Sequence, residues 1–167
     1  LKNKDAEHPS CDLNDLISNN EDLILLTGNY YNFFGKLINA NKINDFEKIL
    51  KTLKTHFNDR MYFEIQRHGE IEEKNFEYQL LNYSKALGIP LIATQEVFYL
   101  KNDMYEAHDA LTCIGEKNFI DDNSRFKYSN QHYFKHNDEI LKLYSDIPES
   151  LENNYNFHLR FNFKPKK

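Results

Sequence analysis

The chain has 167 residues, the length of one ordinary domain, and 40% of them are hydrophobic, with 13 Phe and 11 Tyr to supply core bulk. A formal net charge of -5 excludes a chain that holds nucleic acid by its overall charge. Two cysteines without a CxxC spacing exclude a disulfide framework or a zinc knuckle and fit a reducing cytosol, and no apolar run has the length of a membrane span.

Residues 1–11 read as a loop or linker, and the opening Leu1-Lys2-Asn3-Lys4 without a Met leads us to expect a start inside a longer protein. Asp12 can cap a short helix carrying Leu13, Leu16 and Ile17. Leu23-Ile24-Leu25-Leu26 is a short apolar run of buried-strand length, closed by a turn at Thr27-Gly28-Asn29. Tyr30 to Asn39 predicts a helix with Phe33, Phe34, Leu37 and Ile38 inward. Asn44 or Asp45 opens the clearest helix, in which Ile43, Phe46, Leu50, Leu53 and Phe57 form a core-facing stripe.

Met61 to Leu100 then reads strand, helix, strand. Met61 to Gln66 has β-rich composition, and Arg67 to Glu70 breaks it. Phe76, Leu80, Tyr83 and Leu87 fall at helical spacing; Gly88 suits a helix C-cap, Pro90 stops the helix, and Leu91 to Thr94 is a buried-strand run. Downstream, Asp103 and Glu106 make a D-x-x-E capping box for a helix that should bury Met104, Ala107, Leu111 and Ile114 and end at Gly115. Residues 118–130 are polar and irregular, and His132-Tyr133-Phe134 is either a short strand or an extended anchor. Asn137 or Asp138 caps a helix through Tyr144, and Pro148 starts a last helix carrying Leu151, Tyr155 and Leu159. Strands alternating with helices predict an α/β fold with three to four parallel strands, either a small open domain or the later part of a β/α barrel.

Chemistry in parallel α/β proteins gathers past the carboxyl ends of the strands. Here those ends carry Asn29, then Gln66 and His68, then Gln95, Glu96 and Phe98. His68 is either a metal ligand or a solvent-facing turn histidine, and Glu96 could join it on a metal. Phe98 has no donor atom, Gln95 and Asn29 are weak ligands, and His108-Asp109 point about 100° apart on a helix, so they form no obvious dyad. His8, His56, His132, His136 and His158 show no partnering pattern. No Walker loop, GxGxxG, GxSxG or HExxH is present.

Tyr62-Phe63-Glu64-Ile65-Gln66-Arg67-His68-Gly69 resembles a signature of the PHP (polymerase and histidinol phosphatase) domain family, in particular the PHP domains of bacterial DNA polymerase III alpha subunits. Leu87-Gly88-Ile89-Pro90-Leu91-Ile92-Ala93-Thr94, Glu106 to Ile114, Tyr133-Phe134-Lys135 and Ile147 to Asn153 are similar to later segments of the same domain, in order. The resemblance implies a distorted seven-stranded barrel of which residues 1–163 are the later portion, with 164–167 starting a linker toward the polymerase palm. It implies a bacterial cytoplasmic replication protein whose partners are the rest of the alpha chain and the proofreading exonuclease, with DNA and magnesium bound elsewhere in the polymerase. Intact family members carry a trinuclear cluster, often with zinc, partly from an early H-x-H motif that this chain lacks. His68 is kept, Glu96 stands where Asp is usual, Phe98 where a ligand His is usual, and Asn29 where many members have Cys. The resemblance therefore implies a degraded metal site with no catalytic residue in this chain and a scaffold role; the alternative is an active metal-dependent phosphoesterase using zinc or manganese.

Overall fold

Residues 11–163 are described by a computed structural model. The stripe Phe46, Leu50, Leu53 and Phe57 folds as expected into helix α3 (Ile43–Phe57) and is wholly buried. Each of those side chains contributes about 2–3 kcal/mol on leaving water. Two shorter helices precede it, α1 (Leu13–Ser18), capped by the Asp12 carboxylate on the Asp15 N–H at 2.8 Å, and α2 (Phe33–Asn39). Three parallel strands, β1 (Leu25–Leu26), β2 (Met61–Ile65) and β3 (Leu91–Ala93), pair in the order β1-β2-β3. Leu25 stands opposite Met61, and Phe63 and Ile65 stand opposite Leu91 and Ala93. Helix α4 (Ile71–Leu87) joins β2 to β3; it opens with a reciprocal capping box between Glu70 and Glu73 and closes at Gly88, whose φ of 62° suits glycine.

The core lies on the face of the sheet presented by Met61, Phe63, Ile65, Leu91 and Ala93, against α3 and the Phe76 and Leu80 face of α4. After β3 come α5 (Tyr105–Glu116), α6 (Asn137–Leu143) and α7 (Pro148–Phe157). The outer edge of β3 is closed by α7 rather than by another strand. Asn154 accepts from the Ala93 N–H at 3.2 Å and donates to the Ala93 carbonyl at 2.5 Å, while Asn153 donates to the Leu91 carbonyl at 2.7 Å. The side-chain amides thus satisfy backbone groups that would otherwise form an open ladder. Tyr99 and Tyr133 meet in one parallel bridge, so 132–134 is an extended anchor.

Several elements depart from the sequence expectation. The strand expected over 23–26 is only Leu25–Leu26, because the Leu23 carbonyl is taken by Arg60 and its side chain is exposed. The second helix starts at Phe33 rather than Tyr30, with Phe33 itself exposed. Helix α3 starts at Ile43 after Lys42, not at an Asn44 or Asp45 cap. The Asp103/Glu106 capping box does not form: 102–104 is a 3-10 turn and α5 begins at Tyr105. Helix α5 is also turned over. Met104, Ala107, Leu111 and Ile114 face outward, while Asp109 and Cys113 are buried. The physical reason is a bidentate pair: the Arg125 guanidinium donates to both Asp109 oxygens at 2.7 and 2.6 Å and draws the polar face inward, and the Tyr105 hydroxyl donates to the Tyr128 carbonyl at 2.9 Å. His136, not Asn137 or Asp138, is the N-cap of α6, with Glu139 completing a capping box. In α7 Leu151 packs against the core as expected, beside Ser150, Asn153 and Asn154; Tyr155 is exposed, and Leu159 lies past the end of the helix, exposed in the 3-10 turn 158–160. Of the loop or linker expected over 1–11, residues 1–10 lie outside the described residues, as does 164–167, the expected start of the linker toward the palm.

Candidate functional site

The carboxyl ends of the strands carry a polar layer. The Glu64 carboxylate accepts from the Gly28 N–H at 3.1 Å, the Gln66 amide at 3.1 Å and the Thr94 hydroxyl at 2.5 Å. Gln66 accepts in turn from the Asn29 amide at 3.1 Å. Asn29 is buried, and its Oδ1 has no partner among the described atoms; it lies beside a cavity of about 10 Å³, the room for one water. Alternation along β2 produces this layer, since Glu64 and Gln66 share the face opposite Phe63 and Ile65.

His68 follows directly. It is 3% exposed, so it is not a solvent-facing turn residue. The Glu73 carboxylate reaches back from the first turn of α4 and accepts from the N–H groups of His68 (2.8 and 2.9 Å), Gly69 (2.9 Å) and Glu70 (3.2 Å), and from His68 Nδ1 at 3.0 Å. On the far side of the ring, the Glu96 backbone N–H donates to His68 Nε2 at 3.2 Å. An N–H aimed at Nε2 requires a lone pair there, which places the proton on Nδ1 and makes the Glu73 contact a hydrogen bond from a neutral imidazole. Both ring nitrogens are therefore used by the protein.

His132 completes the arrangement. Its ring lies flat on His68, centroids 4.0 Å apart and planes 2° apart, and its Nδ1 donates to the Glu96 carbonyl at 3.2 Å. The two imidazoles thus hold the N–H and the C=O of the same residue. Burial, with His68 adding to it, pushes the His132 pKa down to about 4. Phe98 stacks on the other side of His132 at 4.9 Å, and His108 stacks on Phe98 at 5.1 Å, so four rings from three parts of the chain form a column. Tyr128 presses its edge on Phe98 and His132. The Glu96 carboxylate accepts from the Tyr31 hydroxyl at 2.5 Å; burial and this bond raise the Tyr31 pKa above the ordinary phenol range.

The structure brings His68, Glu96 and Phe98 together around His132, places Asn29 in the neighbouring polar layer, and sets His108 at the flank of α5 in the ring column. Among the described residues no group of three or more His, Cys, Asp or Glu is arranged to hold a metal ion. Of the two expected ligands, His68 has both ring nitrogens hydrogen-bonded and so offers no lone pair to zinc or manganese as placed, while one Glu96 oxygen accepts from the Tyr31 hydroxyl. The space beside His68 and His132 is about 10 Å³, far below the several hundred Å³ of a substrate cleft. Sequence reasoning missed His132 and Glu73. A carboxylate five residues after His68 and three after an N-cap was a legible signal for Glu73; nothing in the spacing pointed to His132.

No protein-family model matches the chain. It is similar to DNA polymerase III subunit alpha of Caulobacter vibrioides, 35% identical over 147 residues. The corresponding subunit of Rickettsia bellii is 36% identical over 149 residues and that of Borreliella burgdorferi 33% over 146. The chain is homologous to a segment of the DNA polymerase III alpha subunit. These matches take in 88%, 89% and 87% of this chain, which spans 13% of the length of each relative. No helix among the described residues is long and apolar enough to cross a membrane.

Proposed function

We propose that this chain is a non-catalytic, PHP-type segment of a bacterial, cytoplasmic DNA polymerase III alpha subunit. It braces the polymerase and offers a docking surface to the proofreading exonuclease, while DNA, magnesium and nucleotidyl transfer belong to the rest of that polypeptide. The observation that carries the scaffold reading is His68: a buried imidazole whose two nitrogens are spent on Glu73 and on the Glu96 N–H is a structural post. The similarity to alpha subunits supports the parent identity. A phosphoesterase would need convergent donors and room for a phosphate ester, and the site beside His68 favours neither.

The test is elemental analysis of the full-length polypeptide. The expected result is zinc and manganese far below one per chain, unchanged by His68→Ala, with polymerase activity retained and with saturable binding of the exonuclease subunit. Near-stoichiometric metal that is lost in His68→Ala would overturn the scaffold reading.

A further inference from the structure

The network around Asn29 fixes which of its atoms is left over. A carboxylate only accepts, so the Gln66 amide nitrogen turns toward Glu64 at 3.1 Å and also meets the Thr94 hydroxyl at 3.0 Å. The Gln66 oxygen then faces Asn29 and accepts from its amide nitrogen at 3.1 Å. Asn29 Oδ1 is the atom without a partner, on a side chain that is 6% exposed. The cavity beside it, of about 10 Å³, is lined by Asn29, Tyr30, Gln66 and the carboxylates of Glu64, Glu73 and Glu77. Among the described residues only Glu77 has a cationic partner, Arg67, which is shared with Asp146. Glu64 is met by the Gly28 N–H, the Gln66 amide and the Thr94 hydroxyl, and Glu73 by three backbone N–H groups and the neutral His68 ring. Burial, with the charges of Glu70, Glu72, Glu73 and Glu96 adding to it, pushes the Tyr30 hydroxyl up to about 12, as expected beside negative charge that no cation offsets.

We infer that this cavity holds one dehydrated monovalent cation, sodium or potassium, on Asn29 Oδ1 and the carboxylates of Glu64 and Glu73. A water would satisfy the amide oxygen and leave both carboxylates without a counter-charge; a cation answers both needs. The atoms on offer are oxygens, the ligands of hard ions. Calcium takes six to eight such ligands and magnesium keeps several waters, and a cavity with room for one small guest serves neither. His68 contributes no ligand atom, so the inference is independent of the scaffold reading, and zinc or manganese content does not bear on it.

The test compares the full-length polypeptide in potassium chloride, sodium chloride and tetramethylammonium chloride at equal ionic strength, the last cation being too large to enter. Amide exchange in peptides spanning 64–73 should be about fivefold slower with an alkali ion, the protection given by an ion at roughly four times its Kd. The alkali ion that protects more is the guest. Asn29→Leu, which removes the oxygen, should erase the difference between salts. Equal exchange in all three salts, or a difference that persists in Asn29→Leu, would overturn the inference in favour of a water. If Asn29→Leu does not fold, crystals of the parent soaked in thallium(I) decide: an anomalous peak against Asn29 Oδ1 is expected, and no peak there would overturn the inference.

Discussion

Replacing His68 with Ala separates a structural histidine from a metal ligand. The substitution removes an imidazole that is 3% exposed and stacked at 4.0 Å on His132, and leaves the Glu96 N–H without its acceptor. Truncating a buried aromatic ring costs about 3–5 kcal/mol for phenylalanine, and the smaller imidazole about 2 kcal/mol. An orphaned buried N–H adds about 1–2 kcal/mol. The total, roughly 3–4 kcal/mol, is a large share of the ~5–15 kcal/mol of an ordinary domain. With a urea slope of about 2 kcal/mol/M, the unfolding midpoint should fall by about 1.5–2 M at constant slope, read by far-ultraviolet circular dichroism. His68→Asn can still donate to Glu73 but loses the bond to Glu96 and most of the stack, so it should show most of that fall. A His68→Ala variant that unfolds within about 0.3 M of the parent, while losing a bound metal, would refute the reasoning.

Asn154→Ala should lower stability by about 2 kcal/mol, a midpoint shift near 1 M in urea, because it strips the Ala93 N–H and C=O of their partner together; no shift would mean that the β3 edge is satisfied by water. His132 is depressed to about 4 in the folded chain against about 6.5 unfolded, so its contribution is complete above pH 6.5 and is lost as the pH falls from there toward 4. Its imidazole resonance should show no titration near pH 6.5, and a midpoint at that pH would contradict the buried stack. Arg125 holds the Asp109 carboxyl below the usual range, so that pair stabilises above about pH 4 and fails as the pH drops through the folded value. Asp109→Asn should be less stable at neutral pH and should lose that part of the acid dependence, measured by unfolding at a series of pH values.

Sequence reasoning reached the elements whose apolar residues repeat with one clear period. Phe46, Leu50, Leu53 and Phe57 could only form one helical face, and Met61 to Ile65 and Leu91 to Ala93 were short apolar runs bounded by breakers. It failed where a polar pair outweighed an apolar stripe. Met104, Ala107, Leu111 and Ile114 have the better core pattern, yet Asp109 and Arg125, 16 residues apart in an irregular stretch, decide which face turns inward. The candidate site was legible in part. His68 and Glu96 follow from strand exits, but the contact between them runs through a backbone N–H, which carries no residue signature. The ring column depends on bringing His132 from an irregular segment back to a strand end, and only the folded chain reveals that approach.

The amide clamp on β3 has a consequence for how the protein is made. Ala93 and Asn154 are separated by 61 residues. A ribosome adding ~5–20 residues per second leaves this sheet margin bare for roughly 3–12 seconds after β3 has been synthesised. During that interval Leu91 to Ala93 is an apolar strand with open backbone groups, the kind of segment a nascent-chain chaperone shields. Premature release of the chain before residue 154 would leave that margin bare permanently, so chain termination upstream of α7 should produce inclusion bodies rather than a shorter folded protein.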